Sequence, residues 1–214
     1  MNPDFTVDLL QHLRDLRYFP KYQYERRIDA FVGFFLLPVL RAQAEIGATA
    51  HLVPEFPLKA DDEWRLSNNA DYVVLEGQGN AAVLVELKTD AGSVDRDQLA
   101  YYTRALFTPW PELVQDIRWI MEGSRERVKY QHLLGALECL TGVPSIRAVF
   151  LAPQSAAERF EKELASVARD MTLEFGEVAS RWRFMSFGEF AATQIETPYQ
   201  DAWRAVANEL GRLK

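Results

Sequence analysis

The sequence is poor in the residues that would mark several common function classes. Its 214 residues contain one cysteine, Cys139, so an internal disulfide is excluded, and the apolar helical pattern around it predicts simple burial. The three histidines, His12, His51 and His132, are scattered without the spacing of a shared zinc site. No serine or cysteine stands in a nucleophile elbow, and no glycine-rich loop is placed to cradle a phosphate. The most apolar window, residues 31–40, falls far short of a bilayer span, and the opening Met-Asn-Pro-Asp lacks a basic region leading into an apolar run. No membrane partner and no secretory signal are therefore expected, and the expected location is the cytoplasm. Positive charge is also short: 24 Lys and Arg against 31 Asp and Glu leave a net charge of −7. That is the wrong sign for binding a polyanion by bulk electrostatics. It weighs against tight non-specific binding of nucleic acid, not against chemistry on it, because local fields and bound cations decide a site. Internal repeats are absent, and nothing points to a homo-oligomer.

What is present is a chain with enough apolar residues, 48%, to fill a core. Its length fits one domain over residues 1–214, with a core over about 22–152 and an extension over 153–214. Ile28, Phe31, Val32, Phe35, Leu36, Val39 and Leu40 recur at three- and four-residue steps, which predicts a helix over 22–44 with a kink at Pro38. Residues 50–58 read as a strand, and Pro54 and Pro57 place it at a sheet edge. A polar connection over 59–69 leads to two apolar runs, 71–76 and 81–88, separated by the hairpin signal Gly-Gln-Gly-Asn at 77–80. Both faces of these runs are apolar, which predicts burial between covering layers. Asp95 opens a helix carrying Leu99, Tyr102, Ala105 and Leu106. More helix is expected within 111–140, then a strand at 145–151, a helix at 156–171, a strand at 181–187 and a helix at 199–213. The fold class is α/β with a mixed central sheet flanked by helices.

The hairpin brings two carboxylates together. With a symmetric four-residue turn, Val73 faces Leu84, Leu75 faces Ala82 and Asp71 faces Glu86. Two acids opposed beside a buried ladder repel each other, and a fold gains no stability from them. A divalent cation between them removes that repulsion and makes a site. Lys88, two residues past Glu86, projects from the same strand face, where its ammonium can orient or help deprotonate a water, or stabilise charge on a phosphate. An E-x-K triplet is common by chance, so the weight lies on its place at the end of an apolar hairpin. The rival reading is a set of solvated charges at a strand end.

Asp71, fourteen intervening residues and then Glu86-Leu87-Lys88 resemble the signature of the PD-(D/E)XK nuclease superfamily. The order of elements resembles that superfamily's restriction-endonuclease-like αβββαβ core, here with a C-terminal α/β extension. Gln98-Leu-Ala-Tyr-Tyr102 resembles the Q-x-x-x-Y motif of the branch that contains RecB-like nucleases and lambda exonuclease. The proline that gives the superfamily its name has no counterpart before Asp71, where Ala70 stands; that position varies within the superfamily. The resemblance implies that Asp71, Glu86 and the backbone carbonyl of Leu87 bind Mg²⁺ or Mn²⁺ while Lys88 acts on the water. It further implies a glutamate from the first core helix. Glu25 fits that place, against the rival reading of a salt bridge with Arg26 or Arg27, and Glu55 on the neighbouring strand is a second candidate, against an edge-strand charge. Gln98 and Tyr102 would hold the site and the substrate backbone. Their rivals are a capping box of Asp95 with Gln98 and plain packing of the Tyr102 ring.

Arg118, Arg125, Arg127 and Lys129, interleaved with Glu122 and Glu126, read as a solvated helix face more readily than as a DNA-facing patch. Trp110, Trp119, Trp182 and Trp203 read as core. The expected function is a Mg²⁺- or Mn²⁺-dependent nuclease acting on DNA. The rivals are a catalytically silent protein of the same fold, acting as a binding or structural partner, and a metal-dependent hydrolase of another substrate.

Overall fold

Of the two strands expected to be buried on both faces, the second is the middle of a sheet. In the computed structural model, which describes residues 3–16, 24–59, 67–140 and 144–213, five strands lie in the order β1-β2-β3-β4-β5. They are β1 (His51–Lys59), β2 (Ser67–Glu76), β3 (Ala81–Leu87), β4 (Ser145–Ala152) and β5 (Trp182–Ser186). β1–β2 and β2–β3 are antiparallel, while β3–β4 and β4–β5 are parallel, so the sheet is mixed. Val83, Leu84 and Val85 of β3 are buried on alternating faces, each contributing on the order of 1.5–3 kcal/mol. β1 is an edge, as its two prolines predict.

Nine α-helices accompany the sheet among the described residues: α1 (Pro3–Leu16), α2 (Tyr24–Ala42), α3 (Arg96–Phe107), α4 (Trp110–Gly123), α5 (Arg127–Leu137), α6 (Ala157–Asp170), α7 (Phe175–Arg181), α8 (Phe187–Ala192) and α9 (Gln200–Leu210). Two cores form, one on each face. The expected stripe of α2, Ile28, Val32, Phe35, Leu36, Val39 and Leu40, packs with Tyr72, Val74, Val83 and Val85 and with Trp203 of α9. On the other face Leu99, Tyr102, Ala105 and Leu106 of α3 pack with Val73, Leu75, Ala82 and Leu84, joined by residues of α4 and α6. Of the residues after 152, β5 extends the same sheet and α9 packs in the α2 core. No helix among the described residues is long and apolar enough to cross a membrane.

Several expectations change. Residues 22 and 23 of the expected first helix, and most of the polar connection, lie outside the described residues, and β2 starts earlier than expected, at Ser67. The further helix expected within 111–140 takes the form of α4 and α5. α1, α7 and α8 were not expected; the last two have seven and six residues, too few to display a helical period. Cys139 stands past the end of α5 and is half-buried rather than in an apolar helix face. Trp119 is half-exposed, with the Lys59 ammonium 4.8 Å above its ring, whereas Trp110, Trp182 and Trp203 are buried. Arg118, Arg125, Arg127 and Lys129 are exposed, and Lys129 pairs with Glu126 at 2.7 Å.

Candidate active site

The hairpin has the expected register, with Val73 opposite Leu84 and Leu75 opposite Ala82, and the ladder runs as far as Tyr72 and Val85. There it stops. Beyond that point β2 pairs only with β1, and Glu86 and Leu87 pair only with β4, opposite Phe150 and Leu151. The alternation of faces also slips here, for Ala70 packs in the same core as Val73 and Leu75 while Tyr72 enters the opposite one. The β1 position opposite Asp71 is Glu55, whose φ of 53° is left-handed backbone, and the β1–β2 register resumes unchanged on either side. Instead of a strand–strand backbone bond, the Asp71 carboxylate accepts the Leu87 N–H at 2.7 Å. Asp71 and Glu86 are thus close, but not as a regular cross-strand pair.

Glu86 is 1% exposed and Lys88 9%. A carboxylate so buried needs donors, and it has three. Gln98 Nε2 donates to Oε1 at 2.5 Å, the Tyr102 hydroxyl donates to Oε2, and the Lys88 ammonium pairs with Oε1. The Asp95 cap is real, since its side chain accepts the Gln98 backbone N–H at 3.0 Å, yet it does not occupy the Gln98 side chain. The two readings of Gln98 are therefore compatible. Tyr102 likewise does both, burying its ring against Trp182 and spending its hydroxyl on Glu86. From the opposite face of the sheet, Glu25 in the first turn of α2 reaches Lys88 at 3.8 Å and accepts the Thr89 N–H. Glu55 does not join. It is exposed, and its carboxylate accepts Asn69 Nδ2 at 3.0 Å.

Three acids and one lysine share this end of β3, and the imbalance shows in their titration. Burial, reinforced by the Glu86 charge, pushes Asp71 up to about 7, against the opposing effects of the Leu87 N–H and Lys88. Burial likewise raises Glu25 and Glu86 despite Lys88. Burial acts to lower Lys88, but Glu86, Glu25 and Asp71 outweigh it and hold the ammonium protonated at neutral pH. Two participants were missed in the sequence. Asp29, four residues after Glu25 on the same helix face, accepts the Tyr72 hydroxyl and adds negative charge near Asp71. Asp29 stands one helical turn after Glu25, and extending the α2 stripe from Glu25 by that step would have found it. Tyr72 carried no signal beyond an apolar strand position.

Among the described residues, no group of three or more His, Cys, Asp or Glu side chains is disposed to hold a metal ion. The donors at the site are nonetheless all oxygens with excess negative charge, the set that suits a hard divalent cation. Glu86 Oε2 also has a second lone pair beyond the Tyr102 hydroxyl it already serves, whereas Oε1 is occupied by Gln98 and Lys88. Comparison with protein-family models, curated proteins and solved structures found no match.

Proposed function

We propose that the chain is a Mg²⁺- or Mn²⁺-dependent nuclease with a restriction-endonuclease-like core, hydrolysing phosphodiester bonds in DNA. The observation that supports this reading best is the cluster of Glu25, Asp71 and Glu86 around Lys88, at the end of the central strand. A fold gains nothing from gathering three acids in partial burial, whereas phosphodiester hydrolysis needs negative oxygens to hold a cation and a positive group to meet developing phosphate charge. Asp71, Glu86 and the Leu87 carbonyl would hold the metal, which supplies Lewis-acid polarisation of the phosphate and acidifies water. Gln98 and Tyr102 fix the Glu86 carboxylate in one orientation. The Leu87 N–H does the same for Asp71. Lys88, protonated at neutral pH, donates hydrogen bonds and stabilises charge on the phosphate rather than removing a proton from water.

The test is incubation with linear, circular and single-stranded DNA and either metal, beside Asp71→Ala and Lys88→Ala. Cleavage that survives both substitutions, or none under any condition, sinks the enzymatic reading. The second reading, a silent protein of this fold that serves as a binding partner, draws on the net charge of −7. Calorimetry with Mn²⁺ separates the two, because a silent relic binds no metal in a manner that depends on Asp71 and Glu86.

A further inference from the structure

Glu25, Asp29 and Gly33 stand four apart on α2 and therefore share one face. Glu25 faces Lys88, Asp29 receives the Tyr72 hydroxyl through both its side chain and its backbone carbonyl (2.8 Å), and Gly33 lies against the Tyr72 ring. A Cβ on Gly33 would stand 2.9 Å from the Tyr72 oxygen and 3.0–3.1 Å from its ring carbons, so only glycine lets the ring seat there. We infer that Tyr72 is a positioning residue acting through Glu25: its hydroxyl on Asp29 and its ring on Gly33 hold the first turns of α2 to β2, and so place the Glu25 carboxylate at Lys88. The inference rests on the reading of Glu25 as part of the site.

The leverage is geometric. Glu25 sits about 6 Å along the helix axis from Asp29, in a first turn whose backbone N–H groups have no partner within the helix. Such a turn is held by what it docks on. At 3.8 Å, Glu25 and Lys88 are near the outer limit of an ion pair, so a displacement of about 1 Å separates them. The rival account is that a buried phenol merely needs an acceptor, and Asp29 supplies one. That account gives Tyr72 no influence over Glu25.

Hydrogen exchange at the Thr89 amide, which donates to Glu25, reads the position of that carboxylate in metal-free protein. Tyr72→Phe keeps the ring and removes the hydroxyl, and it should speed Thr89 exchange about tenfold while the core amides of Val83 and Val85 stay as protected as in the parent. Gly33→Ala is the second variant. Its methyl would press on the Tyr72 oxygen and ring and should speed Thr89 exchange in the same way, while the gain in helix propensity works against a general loosening of α2. In Mn²⁺ calorimetry Tyr72→Phe should weaken binding about tenfold, and by less than twofold when Glu25→Gln is already present. Unchanged Thr89 exchange in both folded variants overturns the inference, as do Mn²⁺ losses that multiply in the double variant. If Mn²⁺ binds neither parent nor variants, the nuclease reading fails, and Thr89 exchange still decides the role of Tyr72.

Discussion

An acid reaches the sheet at each end of α2, one in its first turn and one just past its last, and the two neighbourhoods are opposites. Just past its C-terminus, Glu45 meets Arg147 at 2.7 Å and Arg183, which also pairs with Glu189. Two carboxylates there face two guanidiniums. At the N-terminal end Glu25, Asp71 and Glu86 share one ammonium. Balanced charges between elements distant in sequence are what a fold uses to join them. An unbalanced, more deeply buried set costs stability and is kept for what it can bind or transform. The difference is one of arithmetic as much as place, and it predicts opposite responses to the same kind of substitution.

The largest expected contrast is in cleavage. Asp71→Ala and Lys88→Ala should each lower metal-dependent DNA cleavage by about 10³-fold, as should chelation of the metal, while Arg147→Ala leaves the rate within about twofold. A comparable loss from Arg147→Ala in a folded protein would erase the distinction. Next comes Tyr102→Phe, which removes a donor from the buried Glu86. Chemical denaturation should show a loss of about 1–3 kcal/mol, and cleavage should fall about 10–100-fold.

A smaller effect carries the most informative sign. Asp71 titrates at 3.8 when unfolded and about 7 when folded, so its carboxyl stabilises the fold fully below pH 4, and that contribution disappears as pH rises through about 7. The shift caps the effect at about 4 kcal/mol, of which solvent access leaves about 2. Asp71→Asn retains an acceptor for the Leu87 N–H, so in metal-free protein at pH 8 it should be more stable than the parent by about 2 kcal/mol. Glu45→Gln should be less stable by about 1 kcal/mol. Denaturant melts at pH 4 and pH 8 decide it, and an Asp71→Asn variant weaker than the parent at pH 8 reverses that sign. The smallest effect concerns the acid in neither cluster. Glu55→Gly should relieve left-handed backbone, gaining about 1 kcal/mol or less, and leave cleavage unchanged. Any cleavage defect would bring Glu55 back into the site.

What could be read from the sequence follows from how local each signal is. The hairpin register came from a four-residue turn, the edge position of β1 from Pro54 and Pro57, and the stripe of α2 from its period. The contacts of Glu86 with Lys88, Gln98 and Tyr102 lie within a short stretch of chain, so spacing could suggest them. The end of the β2–β3 ladder could not be read, because it depends on β1 drawing β2 aside at the Glu55–Asp71 position. Asp29 and Tyr72 meet across 43 residues, and nothing local announces such a contact. α1 was missed although Leu10 is buried in its core, since the helix is stabilised largely against α9 at the far end of the chain.

The place where β2 leaves β3 has a mechanical meaning. Past Tyr72 the β1–β2 pair continues as a two-stranded ribbon, attached to the body through Phe56, Leu58 and Ala70 against the α3 and α4 core and through Lys59 on Asp116 at 3.3 Å. The ribbon is therefore fastened along its length and at its tip to the helices rather than to the strand beside it. Asp71 is the splice between the two kinds of fastening: on one side of it β2 is tied to β3 by backbone bonds, and at Asp71 itself the tie is one side-chain bond to the Leu87 N–H.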